Sequence, residues 1–310
     1  MHQLRQALLP KIFSFIIMFA LLGMCCACSF STETPGNSAV SAEPSTTPDA
    51  AAQTIPILLY HHLDETAAES ETILSPERFE HQMQLLSENG YTTVTFDDII
   101  AFVENGTSLP ENPVIITFDD GYMSNYEYAF PTLQKYGFKA TIFTIGCSIG
   151  HDKYYKDTQY EMTPHFGGEE IAEMTASGVI DIQSHTYDMH QWAPFESVEP
   201  ARTTILPFEN ESDAEYKEAL IRDVEQQHDA FESSGLAKSY VLAFPHGAYT
   251  AFTNEILVSC GYKVTVTTEA DHVNTIVYGE PESLIGLGRM NIDPSVTDEA
   301  ILEYCGMGNK

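Results

Sequence analysis

The feature that most constrains the fold is a short apolar run, VIITF, at residues 114–118. Two acidic residues and a glycine follow it directly. An apolar run with no alternation between its two faces is typical of a strand buried on both sides, in a parallel sheet that helices cover. Active sites of such sheets lie beyond the carboxyl ends of the strands, where Asp119 and Asp120 stand. A helix cap would need only one of these acids. Gly121 allows an immediate turn, so we expect both carboxylates to face one pocket.

Segments with strand-like and helix-like patterns alternate from residue 54 to residue 306. Seven helix-like segments end at a glycine, the residue that best tolerates the left-handed conformation after a helix. Repeated strand–helix–glycine units with no linker between them favour one α/β barrel over two lobes. The predicted strands lie at residues 55–60, 91–96, 114–118, 140–145, 179–183, 240–244, 263–268 and 284–290.

A second group of polar residues, SHTYDMH, follows the strand predicted at residues 179–183 and contains His185 and His190. Histidines five positions apart are separated by about 140° around a helix, so a turn must bring them together. Two imidazoles and one carboxylate, with a fourth position left open, form a hydrolytic metal site. Both groups stand at predicted strand ends, which makes a shared site a better explanation than separate structural roles.

Four motifs occur in a fixed order: TFDDGY (117–122), KATIFTIG (139–146), SHTYDMH (184–190) and FPHG (244–247). Over roughly residues 54–305 the chain resembles the NodB-type polysaccharide deacetylases, carbohydrate esterase family four. The five-residue histidine spacing, and the Tyr-His-His that ends the first strand, are similar to the branch that deacetylates biofilm poly-N-acetylglucosamine. The resemblance implies a metal-dependent N-deacetylase on a single distorted (β/α)7-8 barrel.

The same resemblance assigns the metal and the base. It implies that Asp120, His185 and His190 bind one divalent metal, and that Asp119 is the general base on the attacking water. Zinc is the expected ion, with Co²⁺, Ni²⁺ and Fe²⁺ as alternatives. A metal ion of this kind lowers the pKa of a bound water from about 15.7 toward about 7.

The resemblance also implies a substrate side of the site. The metal and the backbone N–H that follows Pro245 would hold the oxyanion, with His246 where many relatives have tyrosine, and Tyr122 beside them. Arg289 resembles an arginine that orients the catalytic aspartate, and a surface salt bridge is the alternative interpretation.

The general acid is assigned by the same comparison. Most of the family carries it on a histidine near the C-terminus, but no histidine follows His272 here. The similar branch places it on the first strand, which implies His61. His62 would point the other way on an extended strand, so only one of the pair can serve. A packing role for both, or an acid role for His246, stays open.

Two long irregular stretches, at about residues 147–166 and 191–212, directly follow strand-end motifs. Loops of this length are more often functional than accidental, so they are candidates for the walls of a glycan groove. Decoration unrelated to the substrate is the alternative. Trp192 and Asp271 could line the same pocket, but the sequence assigns neither a role.

Residues 1–28 are predicted to be a signal peptide, because basic residues precede an apolar run that ends in small residues and cysteines. Cys28 is the expected lipid-anchor site of a bacterial lipoprotein; Cys25 stands where leucine is usual, so plain cleavage or an uncleaved anchor stays open. Residues 29–53, rich in Ser, Thr, Pro and Ala, predict a disordered tether ahead of a catalytic domain at 54–310. The predicted location is the extracytoplasmic face of the cell membrane.

Composition excludes some partners. Without residues 1–28 the chain keeps 12 basic and 45 acidic residues, a formal charge of −33. So acidic a chain is a poor candidate for binding nucleic acid or anionic lipid surfaces, whereas a neutral N-acetylated glycan is compatible with it. The three remaining cysteines, Cys147, Cys260 and Cys305, argue by their odd number against a disulfide framework or a cysteine-based zinc site. No protein partner is implied.

Other functions fit some of these facts. A sugar-binding lipoprotein of an importer would share the signal, the tether and the α/β pattern, but it has no use for the Asp and His pairs. An inactive deacetylase-like protein that only binds glycan is a second option, which the unusual His246 leaves open. An O-acetyl esterase acting on xylan would use the same residues as an N-deacetylase.

Overall fold

The computed structural model describes residues 52–154, 159–192, 195, 200–269 and 273–306. The predicted signal peptide, Cys28 and Asp271 lie outside these residues, as does the tether up to residue 51. The first strand begins at Ala52, so the last two residues assigned to the tether already pair in a sheet. Among the helices within those ranges, none combines the length and the hydropathy that a bilayer-spanning segment needs.

The strands are short, and most belong to one parallel sheet. They are β1 (Ala52–Ile55), β2 (Ile57–Tyr60), β3 (His62–Leu63), β4 (Ile73–Leu74), β5 (Thr92–Thr93), β6 (Pro113–Phe118), β7 (Ala140–Thr144), β8 (Ile180–Ser184), β9 (Val241–Ala243), β10 (Val264–Val266), β11 (Asn274–Val277), β12 (Ile285–Leu287) and β13 (Met290–Asn291).

Helices connect most of the sheet strands. They are α1 (Pro76–Glu88), α2 (Phe96–Asn105), α3 (Phe130–Tyr136), α4 (Gly168–Ala176), α5 (Asp213–Ser233), α6 (Ala251–Ser259) and α7 (Asp298–Gly306). A π turn at Asn125–Ala129 leads into α3, and 3₁₀ turns lie at Gly146–Ser148, Pro245–Gly247 and Pro281–Leu284.

The main sheet follows the order of the chain. Strands β2, β6, β7, β8, β9 and β10 pair in parallel, each with the next. Two short strands share the last position, since β12 pairs with β10 and β13 pairs with β2. Only Gly288 and Arg289 separate β12 from β13, so the sheet curls round until its last position meets its first. The predicted α/β fold, a single distorted barrel, is confirmed, with seven strand positions.

The strand predicted at residues 91–96 is wrong in its second half. Only Thr92–Thr93 pairs, at the start of β6 and away from the path of the barrel. Thr95 instead caps α2: its hydroxyl accepts from the Asp98 N–H at 3.3 Å, and its N–H donates to the Asp98 carboxylate at 2.7 Å. The β-branched composition favours a strand, but this reciprocal capping box satisfies N–H groups at the start of a helix.

Two other predicted strands are each divided. Pro56, which has no N–H, separates β1, antiparallel to β11, from β2 in the barrel. The strand predicted at residues 284–290 is interrupted at Gly288 and Arg289, and its halves pair with different neighbours. The helix ends are predicted better, because a glycine with positive φ follows each helix from α1 to α6: Gly90, Gly106, Gly137, Gly178, Gly235 and Gly261.

Side chains of β6 alternate between two apolar clusters. Ile116 and Phe118 pack with residues of α1, α3 and α4. Ile115 packs instead with α2, β9 and β10. Thr117 has the same parity as Ile115, and the next residue of that parity is Asp119. The alternation of the strand therefore already decides which way the first acid points.

Candidate metal and active site

The acid pair lies where the alternation of β6 ends. Asp119 continues the face of Ile115 and Thr117, and its N–H donates to the Tyr60 carbonyl at 2.9 Å, as in a strand. Asp120 has φ +71°, outside the strand conformation. This left-handed residue, together with Gly121 at φ +84°, turns the chain so that both carboxylates reach one site. The sequence predicts the turn at Gly121, but it begins one residue earlier.

Arg289 holds Asp119 from the last strand position of the barrel, between β12 and β13. Its Nη1 and Nη2 donate to the two carboxylate oxygens at 2.7 Å each, a bidentate pair. Its Nε donates to the Thr267 carbonyl at 3.0 Å, and its guanidinium lies 5.4 Å from the centre of the Phe143 ring. Arg289 is 0% exposed, so the alternative of a surface salt bridge is wrong.

The two acids have opposite electrostatic environments. Burial alone would raise the pKa of Asp119. The charge of Arg289 and, to a smaller extent, that of His185 lower this pKa well below its usual range. Burial also acts on Asp120 and raises its pKa, because no arginine compensates there. Asp119 is therefore fixed as an anion, whereas Asp120 is a buried carboxylate that gains from a bound cation.

His185 is oriented for metal binding by its backbone neighbour. Its Nδ1 lies 2.8 Å from the Ala243 carbonyl, to which it can only donate. The proton is thus on Nδ1, which leaves the lone pair of Nε2 free, as is usual for histidines that bind a metal ion through one ring nitrogen and donate with the other. Burial lowers the pKa of His185 to about 3, so the ring is neutral across the physiological range.

The three predicted ligands come together in the structure. Nε2 of His185 and of His190 lie 3.6 Å and 3.7 Å from Oδ1 of Asp120. The ligand atoms of these residues all lie within 4.8 Å of one another. Asp120 Oδ1 is buried and accepts no hydrogen bond, which is costly unless a cation takes its lone pair. Two imidazoles and one carboxylate fit zinc, with a coordination position left for water or substrate.

Strained backbone concentrates at this site. Of the four described non-glycine residues with positive φ, three adjoin it: Asp120, Thr186 at +70° and His246 at +54°. A β-branched residue such as Thr186 is a marked outlier in this region. Such residues cost about 1–3 kcal/mol each and persist where the surrounding structure holds them, often at functional sites.

The predicted substrate side also lies here. The ring of His246 is 4.7 Å from that of His190, centre to centre, and its side chain is exposed. Pro245 is buried beneath it in the 3₁₀ turn that follows β9. Burial raises the pKa of the Tyr122 hydroxyl well above its usual value, and the interaction of this hydroxyl with the Asp120 carboxylate adds to the shift.

His61 and His62 have different surroundings. Burial lowers the pKa of His61, while the charges of Asp119 and Asp120 oppose this shift. His62 is engaged elsewhere: its Nδ1 is 2.8 Å from the Ser124 hydroxyl and its Nε2 is 3.5 Å from Asp64. That His61 is the general acid stays a prediction.

Both long loops border the site. In the first, His165 lies with its ring 5.0 Å from that of Tyr122. The loops contact each other, since the Phe195 ring is 5.3 Å from Tyr154 and 5.0 Å from Tyr160. Trp192, two positions after His190, is 52% exposed. Their role as groove walls stays a prediction.

Sequence reasoning missed Asp223, a buried residue of α5. Its carboxylate accepts from the N–H groups of Tyr187 and Asp188, at 2.9 and 2.8 Å, between the two histidine ligands. Burial raises its pKa to about 6, against these hydrogen bonds. The sequence pattern could have indicated this residue. Asp223 lies on the same face of the helix as the apolar Leu220 and Val224, and an acid is unusual on such a buried face.

Comparisons with known proteins agree with this geometry. The family described as polysaccharide deacetylase matches residues 106–265. The Bacillus subtilis protein YxkH is 29% identical over 251 residues, 81% of this chain and 75% of that protein. The poly-beta-1,6-N-acetyl-D-glucosamine N-deacetylase of Escherichia coli is 26% identical over 234 residues. That match covers 69% of this chain but only 34% of the Escherichia coli enzyme.

Solved structures share the fold. A de-N-acetylase from Aggregatibacter actinomycetemcomitans has a TM-score of 0.68 at 23% identity, covering 81% of this chain and 99% of its own. IcaB from Ammonifex degensii has a TM-score of 0.62 at 24% identity, covering 82% and 97%. At these identities the likeness concerns the fold, and it supports the curled parallel barrel.

We expect the purified chain to bind one equivalent of zinc, and His185→Ala to lose it. The substitution removes one of three ligands, and zinc sites require their full set. Metal analysis after gel filtration checks this, with His228→Ala, a histidine of α5, as the control. Full occupancy in His185→Ala would remove that residue from the site.

Arg289→Met should destabilise the fold by about 3–5 kcal/mol at pH 7, because it leaves the buried Asp119 carboxylate unpaired. In the wild type the pKa of Asp119 is depressed, so the pair stabilises the fold at neutral pH and is lost only in strong acid. Without the arginine, burial raises the pKa of Asp119, so this carboxylate is protonated at a higher pH in the variant. The difference in unfolding free energy between variant and wild type should therefore become smaller as the pH falls. Urea denaturation with chelator at pH 7 and pH 4.5 measures this; a deficit independent of pH would contradict it.

Proposed function

The chain belongs to the polysaccharide deacetylase family, and on this premise we propose that it is a metal-dependent hydrolase. The proposed reaction removes N-acetyl groups from a cell-surface or extracellular polysaccharide that contains N-acetylglucosamine, and releases acetate. One observation carries the proposal: the cluster of Asp120, His185 and His190 lies beside a second acid that is fixed as an anion.

A divalent ion held by Asp120, His185 and His190 would polarise the acetyl carbonyl and lower the pKa of the attacking water. Zinc suits this ligand set, and Co²⁺, Ni²⁺ and Fe²⁺ are alternatives. The remaining chemistry falls to side chains of the chain itself, which must accept a proton from water, stabilise the oxyanion and protonate the leaving amine.

Asp119 is the proposed general base. Its Oδ2 lies 3.9 Å from Nε2 of His185, and Asp119 is not one of the three residues whose ligand atoms cluster. Arg289 donates to one lone pair on each carboxylate oxygen of Asp119, and the other lone pairs remain to accept the proton of the water. The same pairing keeps it ionised, which a base requires, and limits its rotation.

His61 is the proposed general acid. It must be protonated when the C–N bond breaks, so that its proton passes to the amine nitrogen. The two carboxylates favour the charged ring, against the larger effect of burial. His62 is held by Ser124 and Asp64, and the charge of Asp120 acts on His246, whereas both carboxylates act on His61.

The oxyanion is assigned to the backbone N–H of His246, after Pro245. His246 has φ +54° and lies in the 3₁₀ turn after β9, outside the strand. A backbone donor does not depend on the side chain, so histidine can stand where relatives have tyrosine. Tyr122, beside Asp120, completes this side of the site.

The proposal extends to the location of the enzyme. The predicted signal peptide and the lipid anchor at Cys28 would hold it outside the cytoplasm, on the cell membrane, within reach of an N-acetylated glycan. Several relatives have names that give a polymer, the Escherichia coli enzyme among them, and they support poly-N-acetylglucosamine as the first substrate to test. The net acidic charge disfavours nucleic acid.

Acetate release from poly-N-acetylglucosamine, peptidoglycan and acetylated xylan tests the function, with Asp119→Asn as the matched variant. We expect release from a polymer of N-acetylglucosamine, and a loss of about 10²–10⁴-fold in Asp119→Asn, which removes a general base. Its zinc content should equal that of the wild type. Release from xylan alone would favour an O-acetyl esterase, and a metal-free, inactive protein would favour a sugar-binding role.

His61→Ala should severely reduce amide hydrolysis but spare an aryl acetate, because a good leaving group needs little protonation. The rate on the amide should fall as pH rises through the pKa of His61, which lies below its ordinary value of 6.5. Rates on both substrates across pH 5–9 check this.

His62→Ala is the control for that experiment, since the ring of His62 is held by Ser124 and Asp64. Equal loss on both substrates in His61→Ala would indicate a structural role. A larger effect at His62 or His246 would transfer the acid to that residue.

A further inference from the structure

We propose that Asp223 is a positioning residue of the metal site, which fixes the turn that carries His185 and His190. The inference rests on the proposed metal function. Asp223 belongs to α5, far along the chain from the ligands, and is 5% exposed. Its Oδ2 accepts from the Tyr187 N–H at 2.9 Å and its Oδ1 from the Asp188 N–H at 2.8 Å.

The turn between the histidines has no regular structure to satisfy its backbone. The two N–H groups bound by Asp223 are consecutive, and they follow Thr186, which has φ +70°. A carboxylate has an acceptor oxygen for each of them. Four other N–H groups in or beside the turn use different acceptors: His185 bonds to Thr144 O, Thr186 to Ser184 Oγ, Met189 to Thr186 Oγ1 and Gln191 to Arg202 O.

Helix α5 gives Asp223 a rigid support. Its buried stripe includes Tyr216, Leu220 and Val224, which pack with β9 and α6 in one apolar cluster. One turn further along α5, Gln227 acts on the neighbouring strand end, since its Nε2 donates to the Thr144 carbonyl at 3.4 Å. The helix thus holds the ends of β7 and β8 in place.

The two histidines of the proposed metal site are held to different degrees. His185 is fixed by β8 and by the Ala243 carbonyl, but His190 stands at the far end of the turn. Its Nδ1 makes no well-formed hydrogen bond, although the nearby Thr203 backbone acts on its pKa. The position of His190 relative to His185 therefore depends on the turn, and Asp223 binds two consecutive N–H groups of that turn.

Asp223→Asn tests this in the full chain, with Asp229→Asn as the control on the exposed side of the same helix. Asparagine keeps one acceptor and presents an NH₂ donor to the second N–H. We expect its zinc dissociation constant, measured by chelator competition, to rise about 10–100-fold, as for other residues that hold metal ligands in place. The visible spectrum of the Co²⁺-loaded variant should change, whereas Asp229→Asn should match the wild type in both.

An unchanged zinc affinity and Co²⁺ spectrum in Asp223→Asn would overturn the inference, even if its melting temperature fell. If that variant does not fold by circular dichroism, Asp223→Ser, smaller and with one hydroxyl acceptor, decides by the same two measurements. A wild-type chain that binds no zinc would instead overturn the proposed function, so the two failures are distinguishable.

Discussion

Arg289 reaches from the seam of the barrel to Asp119, and the site is built around this buried ion pair. An isolated buried charge would be very costly, but the bidentate geometry and the further bond to the Thr267 carbonyl offset the desolvation. The pair also joins two distant parts of the chain. Arg289 lies between β12 and β13, where the curled sheet meets its first strand, so the closure of the barrel also orients Asp119.

Two adjacent aspartates acquire different chemistry from this arrangement. Asp119 has its guanidinium partner and a depressed pKa, whereas Asp120 has a raised pKa and a carboxylate oxygen without a donor. Neighbouring groups whose environments separate their pKa values are a common basis for dividing catalytic roles. A fixed anion suits a base, and an unsatisfied carboxylate beside two neutral imidazoles suits a metal ligand.

The same backbone feature occurs after three strands of the barrel. After β6, β8 and β9 a non-glycine residue takes positive φ, at Asp120, Thr186 and His246. Each time the chain leaves the alternation of the strand beside the site. The strain this stores must be held by neighbouring contacts, of which Asp223 at the second strand end is the clearest.

The sequence by itself determined the α/β class, the helix-ending glycines and the site motifs, because apolar runs, glycines and strand-end acids act locally. It misplaced the strand at residues 91–96, since a capping box competes there with β-branched composition. It left Arg289 undecided between surface and site, and it missed Asp223. Only the tertiary structure decided these, because both act on residues far along the chain: burial and the partner's position exist only once the sheet has curled and α5 has packed.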